Sequence, residues 1–136
     1  MALLIDSSVV IELERRRLTL DWLATSLEAD EPLGISAVTL SEMLVGVHLA
    51  DTKQRREARE AFIEDVLEIA EVLDFDASAA AVHARLWARL RGAGAMIGLH
   101  DLIIAATALA HDYDVMTDNV EEFQRIPSLQ LRQPDW

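Results

Sequence analysis

Short apolar runs alternate along this chain with longer stretches of helical period, and acids stand at the junctions. Ala2-Leu3-Leu4-Ile5 ends at Asp6, and Leu33-Gly34-Ile35-Ser36 leads on to Glu42. Asp101 stands directly ahead of Leu102-Ile103-Ile104, and Val115-Met116-Thr117 ends at Asp118-Asn119. Runs so short read as strands buried on both faces. Strands that alternate with helices assemble into βα units around a mostly parallel sheet. The expected architecture is a three-layer α/β/α domain, with a short, mostly parallel central sheet of four to five strands flanked by helices. In such a sheet the junctions gather at the carboxyl ends of the strands, the edge where α/β proteins bind ligands.

The individual elements follow from period and punctuation. Residues 2–6 form the first strand, and Ser7 or Ser8 opens a helix through Val9, Val10 and Leu13. Leu20, Leu23 and Leu27 give residues 18–29 a helical period, which Pro32 breaks before a second strand at 33–37. Thr39-Leu40-Ser41-Glu42 has capping-box spacing, so a helix starts at Thr39 and runs to about His48. An amphipathic helix over 53–69 turns Ala61, Phe62, Val66 and Leu67 inward, and 72–75 reads as the third strand. Asp76 caps a helix through Val82, Leu86 and Leu90 that stops near Gly92 and Gly94. The helix over 100–111 is nearly all apolar and needs burial on most sides. Residues 114–116 form the fourth strand, 121–125 a helical turn, and 129–131 a short edge strand after Pro127.

A length of 136 residues fits one domain, 1–136, and a hydrophobic share of 51% supports a packed core. The chain has no Cys, which excludes disulfides, thiolate metal sites and Cys nucleophiles and fits a reducing compartment. Met1 to Ile5 lacks the basic region and long apolar core of a signal peptide. The longest apolar stretch, Leu102 to Ala110, is far short of the roughly 20 residues a membrane helix needs. A soluble cytoplasmic protein is expected. The formal charge of −12, from 12 Lys and Arg against 24 Asp and Glu, repels nucleic acid as a uniform field. The basic residues are local, at Arg15-Arg16-Arg17, at Lys53, Arg55, Arg56 and Arg59, and at Arg85, Arg89 and Arg91. The balance argues against a broad nucleic-acid-coating protein, less against an enzyme with local basic patches and a metal, and it suits a partner that carries a basic segment.

Taken singly, each acid has an ordinary explanation. Asp6 beside Ser7 and Ser8 can cap the first helix. Glu42 can be the acid of its capping box, and Asp101 can complement a helix dipole for roughly 0.3–1 kcal/mol. Asp118-Asn119 can be a turn. Taken together they resist that reading. Asp6 ends a run buried at the sheet centre, where an unpartnered charge is costly. Asp101 opens the most apolar helix, and Glu42 is followed by Met43-Leu44-Val45-Gly46. Acids crowded on one dry edge repel one another unless a shared cation neutralises them. Oxygen ligands without Cys favour Mg²⁺ or Mn²⁺, whereas His48, His83, His100 and His111 show no zinc-ligand spacing. The pattern points to metal-dependent phosphodiester chemistry.

Four motifs occur in order: Leu4-Ile5-Asp6-Ser7-Ser8-Val9-Val10, then the run from Ser36 to Met43, then His100 to Ala110, then Val115 to Phe123 followed by Ile126-Pro127 and Leu129. In these motifs, and over essentially its whole length, the chain strongly resembles the PIN-domain ribonucleases, and within them the VapC-type toxins of bacterial toxin–antitoxin pairs. The resemblance implies that Asp6, Glu42 and Asp101 are the core metal-binding acids. It implies a fourth station two residues after Thr117, at Asn119, shared with the adjacent Asp118. Ser7 and Thr117 would supply hydroxyls that position ligands or water. The implied activity is Mg²⁺- or Mn²⁺-dependent hydrolysis of RNA (tRNA, rRNA or mRNA) by metal-activated water, inhibiting growth and translation.

The same resemblance implies a VapB-like antitoxin as partner, a homodimer, and a hetero-oligomer with the antitoxin. Helices 18–29 and 39–69 would form the receiving groove, with Leu18, Trp22, Leu44 and Val47 as a docking stripe or as plain core. Trp87, Leu86 and Leu90 would serve a dimer contact or the core. The competing reading is a catalytically weak or inactive PIN-like binding module acting through its antitoxin, which the neutral Asn119 favours. A receiver-like phosphoacceptor domain ranks well behind, because the first strand ends Asp6-Ser7 and the single Lys is Lys53. A DNA-directed nuclease of the same fold stays open, since metal acids do not distinguish the sugar.

Overall fold

Leu3, Leu4 and Ile5 form β1, and all three are buried because β1 lies at the centre of the sheet. The fold is seen in a computed structural model that describes residues 1–18 and 20–136. Five strands take the order β3-β2-β1-β4-β5, with β2 at Leu33–Ser36, β3 at Glu71–Leu73, β4 at Asp114–Met116 and β5 at Leu131–Arg132. Every strand pair is parallel. The sheet matches the expected α/β/α architecture at the upper end of the expected strand number.

The chain winds outward from β1 through β2 to β3, then crosses to β4 and on to β5. Right-handed crossovers therefore place the two sets of helices on opposite faces. Leu3, Ile5, Leu33, Ile35 and Met116 pack on one face against α1 (Ser7–Arg15), α2 (Leu20–Thr25) and α4 (Lys53–Ile69). Leu4, Leu73 and Val115 pack on the other face against α5 (Ala77–Gly92), α6 (Leu99–Ala110) and α7 (Val120–Phe123). Helix α3 (Ala37–His48) borders both layers, with Val38 on the second cluster and Leu40 and Met43 on the first. The winding reverses between β1 and β4, so the ligand crevice of an open α/β sheet falls at the ends of those two strands. No helix among the described residues is long and apolar enough to cross a membrane.

Several boundaries differ from the sequence expectation, each for a local reason. Ser36, not Thr39, caps α3: its side chain accepts the Thr39 N–H at 3.2 Å, and the helix starts two residues early. Helix α2 covers only Leu20–Thr25 of the expected 18–29, and Thr19, inside that range, lies outside the described residues. The Thr25 hydroxyl donates to the Trp22 carbonyl, and Leu27 reaches the core from beyond the helix. Strand β3 ends at Leu73 because Asp74 and Phe75 turn outward. Strand β5 lies at 131–132, where its register sets Leu131 against Val115. On α4 the buried residues are Ile63 and Val66, while Ala61 and Leu67 are exposed. Leu86 and Leu90 are core residues. The supposed docking stripe is mostly packing too: Val47 is buried, Leu18 and Trp22 lie against the core, and Trp22 stacks on Trp136 at 4.9 Å.

The central sheet is tight at Gly34. A Cβ there would stand 3.0 Å from Tyr113 Cε2 and 3.1 Å from Leu73 Cδ1. Overpacking of this kind costs about 1–3 kcal/mol. Gly34→Ala is therefore expected to lower the thermal unfolding midpoint, and an unchanged midpoint would mean that Tyr113 yields without cost.

Candidate active site

Asp6 leaves the end of β1 and enters the first turn of α1, but its side chain does not cap that helix. The carboxylate turns toward β4. Its Oδ2 accepts the Thr117 hydroxyl at 2.8 Å and the Ser8 hydroxyl at 2.7 Å. Its Oδ1 is buried with no hydrogen-bond partner among the described residues. Buried polar atoms are ordinarily satisfied, so an orphaned carboxylate oxygen at a sheet's ligand edge marks a place built for something else.

Glu42 reaches the same edge from α3. With Ser36 as the cap, Glu42 is no longer the capping-box acid, and that ordinary explanation falls away. Its Oε1 accepts the Ser7 hydroxyl at 2.9 Å, and Ser7 also lies 2.9 Å from Thr39 Oγ1. His100 Nδ1 stands 3.4 Å from Glu42 Oε1, on an otherwise exposed side chain. Helix α6 starts after Gly98, and Asp101 lies in its first turn.

Asp101 senses the whole cluster. Burial comes first in raising its pKa from the usual 3.8 to about 7, followed by the proton it shares with Glu122 and the charges of Asp6, Glu122 and Glu42. Glu122 moves the opposite way, held low chiefly by that same hydrogen bond from Asp101. The two carboxyls move apart, Asp101 toward its protonated form and Glu122 toward its ionised one. The Asn119 amide bridges them, donating to Glu122 Oε2 at 3.0 Å and Asp101 Oδ2 at 3.4 Å. Its backbone N–H donates to Thr117 Oγ1 at 2.9 Å.

The structure thus brings together Asp6, Glu42, Asp101, Asn119, Ser7 and Thr117. Asp118 is the exception among the expected residues. It is exposed, and its backbone N–H donates to Ser8 Oγ at 3.2 Å. Three further participants escape sequence reading: Glu122, Ser8 and Thr39. Glu122 lies three residues after Asn119 with buried Phe123 next to it, a helical spacing that turns both polar groups to one side.

The donor set is all oxygen and strongly anionic, which fits a small hard divalent cation. The carboxylates are spread rather than gathered: among the described residues no three His, Asp or Glu stand close enough together to hold a metal ion as they are placed. The fit rests on the free Asp6 Oδ1 and on the mutual repulsion recorded at Asp101. Of the other histidines, His111 lies near Asp76 and His83 between Phe75 and Trp87.

A raised carboxylate pKa has a definite consequence for stability. The folded state keeps the Asp101 proton that the unfolded chain loses, so the stability linked to it is full below about pH 4 and is lost as pH rises through about 7. Asp101→Asn cannot ionise. In EDTA it is expected to melt above the parent at pH 8, with the gain shrinking toward pH 4. An equal difference at both pH values would contradict the shared field.

Comparison with known proteins gives the family and the fold. The PIN domain family model matches residues 3–129. The chain is 35% identical over 131 residues to Ribonuclease VapC1 of Rickettsia felis, covering 96% of this chain and 95% of that protein. It is 34% identical over 102 residues to the tRNA(fMet)-specific endonuclease VapC of Salmonella typhimurium, covering 75% of this chain and 74% of that protein. Its fold matches the structure of VapBC2 from Rickettsia felis bound to a promoter DNA fragment, with a TM-score of 0.88 at 26% identity over 99% of this chain and 100% of that one. The chain belongs to the PIN domain family, in its VapC-type group.

Proposed function

We propose that this protein is a divalent-metal-dependent endoribonuclease, the toxin of a VapBC-type toxin–antitoxin pair, cutting RNA at the sheet edge that carries Asp6, Glu42 and Asp101. The observation that carries this reading is the buried, unpartnered Asp6 Oδ1 within a field of three further carboxylates. The relatives named ribonuclease and tRNA-specific endonuclease support RNA, and tRNA within it, as the substrate class. The VapBC2 likeness supports a VapB-like antitoxin as partner.

Each residue has a share in the chemistry. Asp6 and Asp101, with Glu42 and Asn119, would hold Mg²⁺ or Mn²⁺. When bound, the metal lowers the pKa of a coordinated water and neutralises charge on the phosphoryl oxygens. Thr117 and Ser8 fix the Asp6 carboxylate through Oδ2 and leave Oδ1 without a partner. Ser7 donates to Glu42 and is itself held by Thr39. Glu122 orients the Asn119 amide and, with burial, favours the protonated form of Asp101, a bias that a bound cation would have to overcome. No side-chain nucleophile is required. The inactive binding-module reading loses its main support, because the neutral Asn119 comes with an additional acid, Glu122, beside it.

The test uses antitoxin-free protein with a tRNA pool and total RNA in Mg²⁺, Mn²⁺ or EDTA. Cleavage is expected with either metal, with none in EDTA, and with loss to background in Asp6→Asn whose circular dichroism matches the parent. Cleavage that persists in EDTA or in the folded Asp6→Asn variant would overturn the assignment.

A further inference from the structure

Beside the acids runs a groove of ≈ 400 Å³, bounded by α1, α3 and α4. Ser7, Ile11 and Glu14 on α1 recur at i, i+4 and i+7, and Glu42 and Gly46 on α3 stand one turn apart, so each helix turns one continuous face to it. The groove opens at its Ser7 and Glu42 end directly onto the cluster, since Ser7 donates to Glu42. Among the described residues lining it, Arg15 and Arg59 are the cations. Arg15 is exposed and bonded to Glu12 at 3.1 Å. Arg59 is held differently. Its Nη1 donates to the Gly46 carbonyl, a neutral acceptor, and its Nε stands 3.9 Å from Glu14 Oε1, beyond hydrogen-bond reach.

The guanidinium is thus fixed by the backbone about one helical turn, roughly 6 Å along α3, from Glu42. In a chain of charge −12, a positioned and weakly neutralised Arg beside an acidic edge is where an approaching phosphodiester finds attraction. The planar fork suits two phosphate oxygens at once, and Ile11 and Met43 offer apolar surface for a base. We infer that Arg59 is a substrate-binding residue that grips a backbone phosphate of single-stranded RNA flanking the bond cut at the acid cluster, with Glu14 competing for it in the free protein. This inference rests on the ribonuclease reading above and adds to it a binding residue outside the acids.

The experiment measures kcat and KM on a single-stranded RNA that the parent cleaves, for Arg59→Gln, Arg59→Lys and, as a control outside the groove, Arg91→Gln. It also follows RNA affinity against salt on an Asp6→Asn background in Mg²⁺, where the RNA stays intact. Arg59→Gln is expected to raise KM about tenfold, the worth of one charge-assisted contact, with kcat within about twofold. Its salt slope should fall by about 0.7, one single-strand phosphate. Arg59→Lys should keep the slope and recover part of the affinity. Glu14→Gln should tighten binding in the parent and do nothing in Arg59→Gln. Unchanged KM and slope in Arg59→Gln would overturn the inference while RNA cleavage by the parent still stands, whether or not the variant melts earlier. A loss confined to affinity for a partner protein would overturn it too. A parent that neither binds nor cleaves RNA would sink the ribonuclease reading itself, and Arg59 with it.

Discussion

A carboxylate buried at the mouth of a parallel sheet, with one oxygen satisfied and the other free, sets the terms for the rest of this molecule. Asp6 is placed there by β1, the central strand, whose own residues are sealed on both faces by helices. Its N–H bonds the Met116 carbonyl at 2.9 Å, which ties the start of α1 to the end of β4. The reversal of strand order lies between those two strands, so the side chain faces the crevice that the topology creates. Burying such a charge is costly without compensation. The two hydroxyls on Oδ2 compensate half of it.

Two polar webs extend from that point and divide the labour. Ser7, Thr39 and Glu42 form one, linking α1 to α3 through hydroxyls. Asp101, Glu122 and Asn119 form the other, linking α6 to α7 through an amide and a shared proton. Helices from both layers of the fold thereby bring acids to one edge of the sheet, where the charges of Asp6, Glu42 and Glu122 all raise the pKa of Asp101. Sites of this kind trade stability for function, since their charges repel until something binds. The first web also borders the α1–α3 groove, so the hydroxyls that orient Glu42 stand where a substrate strand would pass.

The sheet, and the placement of Asp6, Glu42 and Asp101 at its carboxyl edge, were legible in the sequence because their signals are local. A buried strand is a short apolar run, and a costly charge directly after one is visible without knowing what surrounds it. The errors arose where tertiary structure decides between local alternatives. Thr39 and Ser36 both suit a helix start, and only the extended backbone of β2 running up to Ser36 selects the earlier cap. Leu27 keeps a helical period yet reaches the core from outside α2. At Asp118-Asn119 the sequence offered two polar residues, and which one turns inward depends on Glu122 and Asp101 meeting it from two different helices. Glu122 itself sits among acids of unremarkable composition, and its role exists only through contacts. The groove beside the acids lies between α1, α3 and α4, a relation that depends on how helices pack.

The most direct test of the central claim is anomalous diffraction from crystals of the antitoxin-free protein grown with Mn²⁺. A peak within about 2.5 Å of Asp6 Oδ1, with Asp101 drawn toward it, is the predicted result. Well-ordered Asp6 without a peak, or a peak only at surface carboxylates away from this edge, would contradict the claim that the acids are held together for a metal.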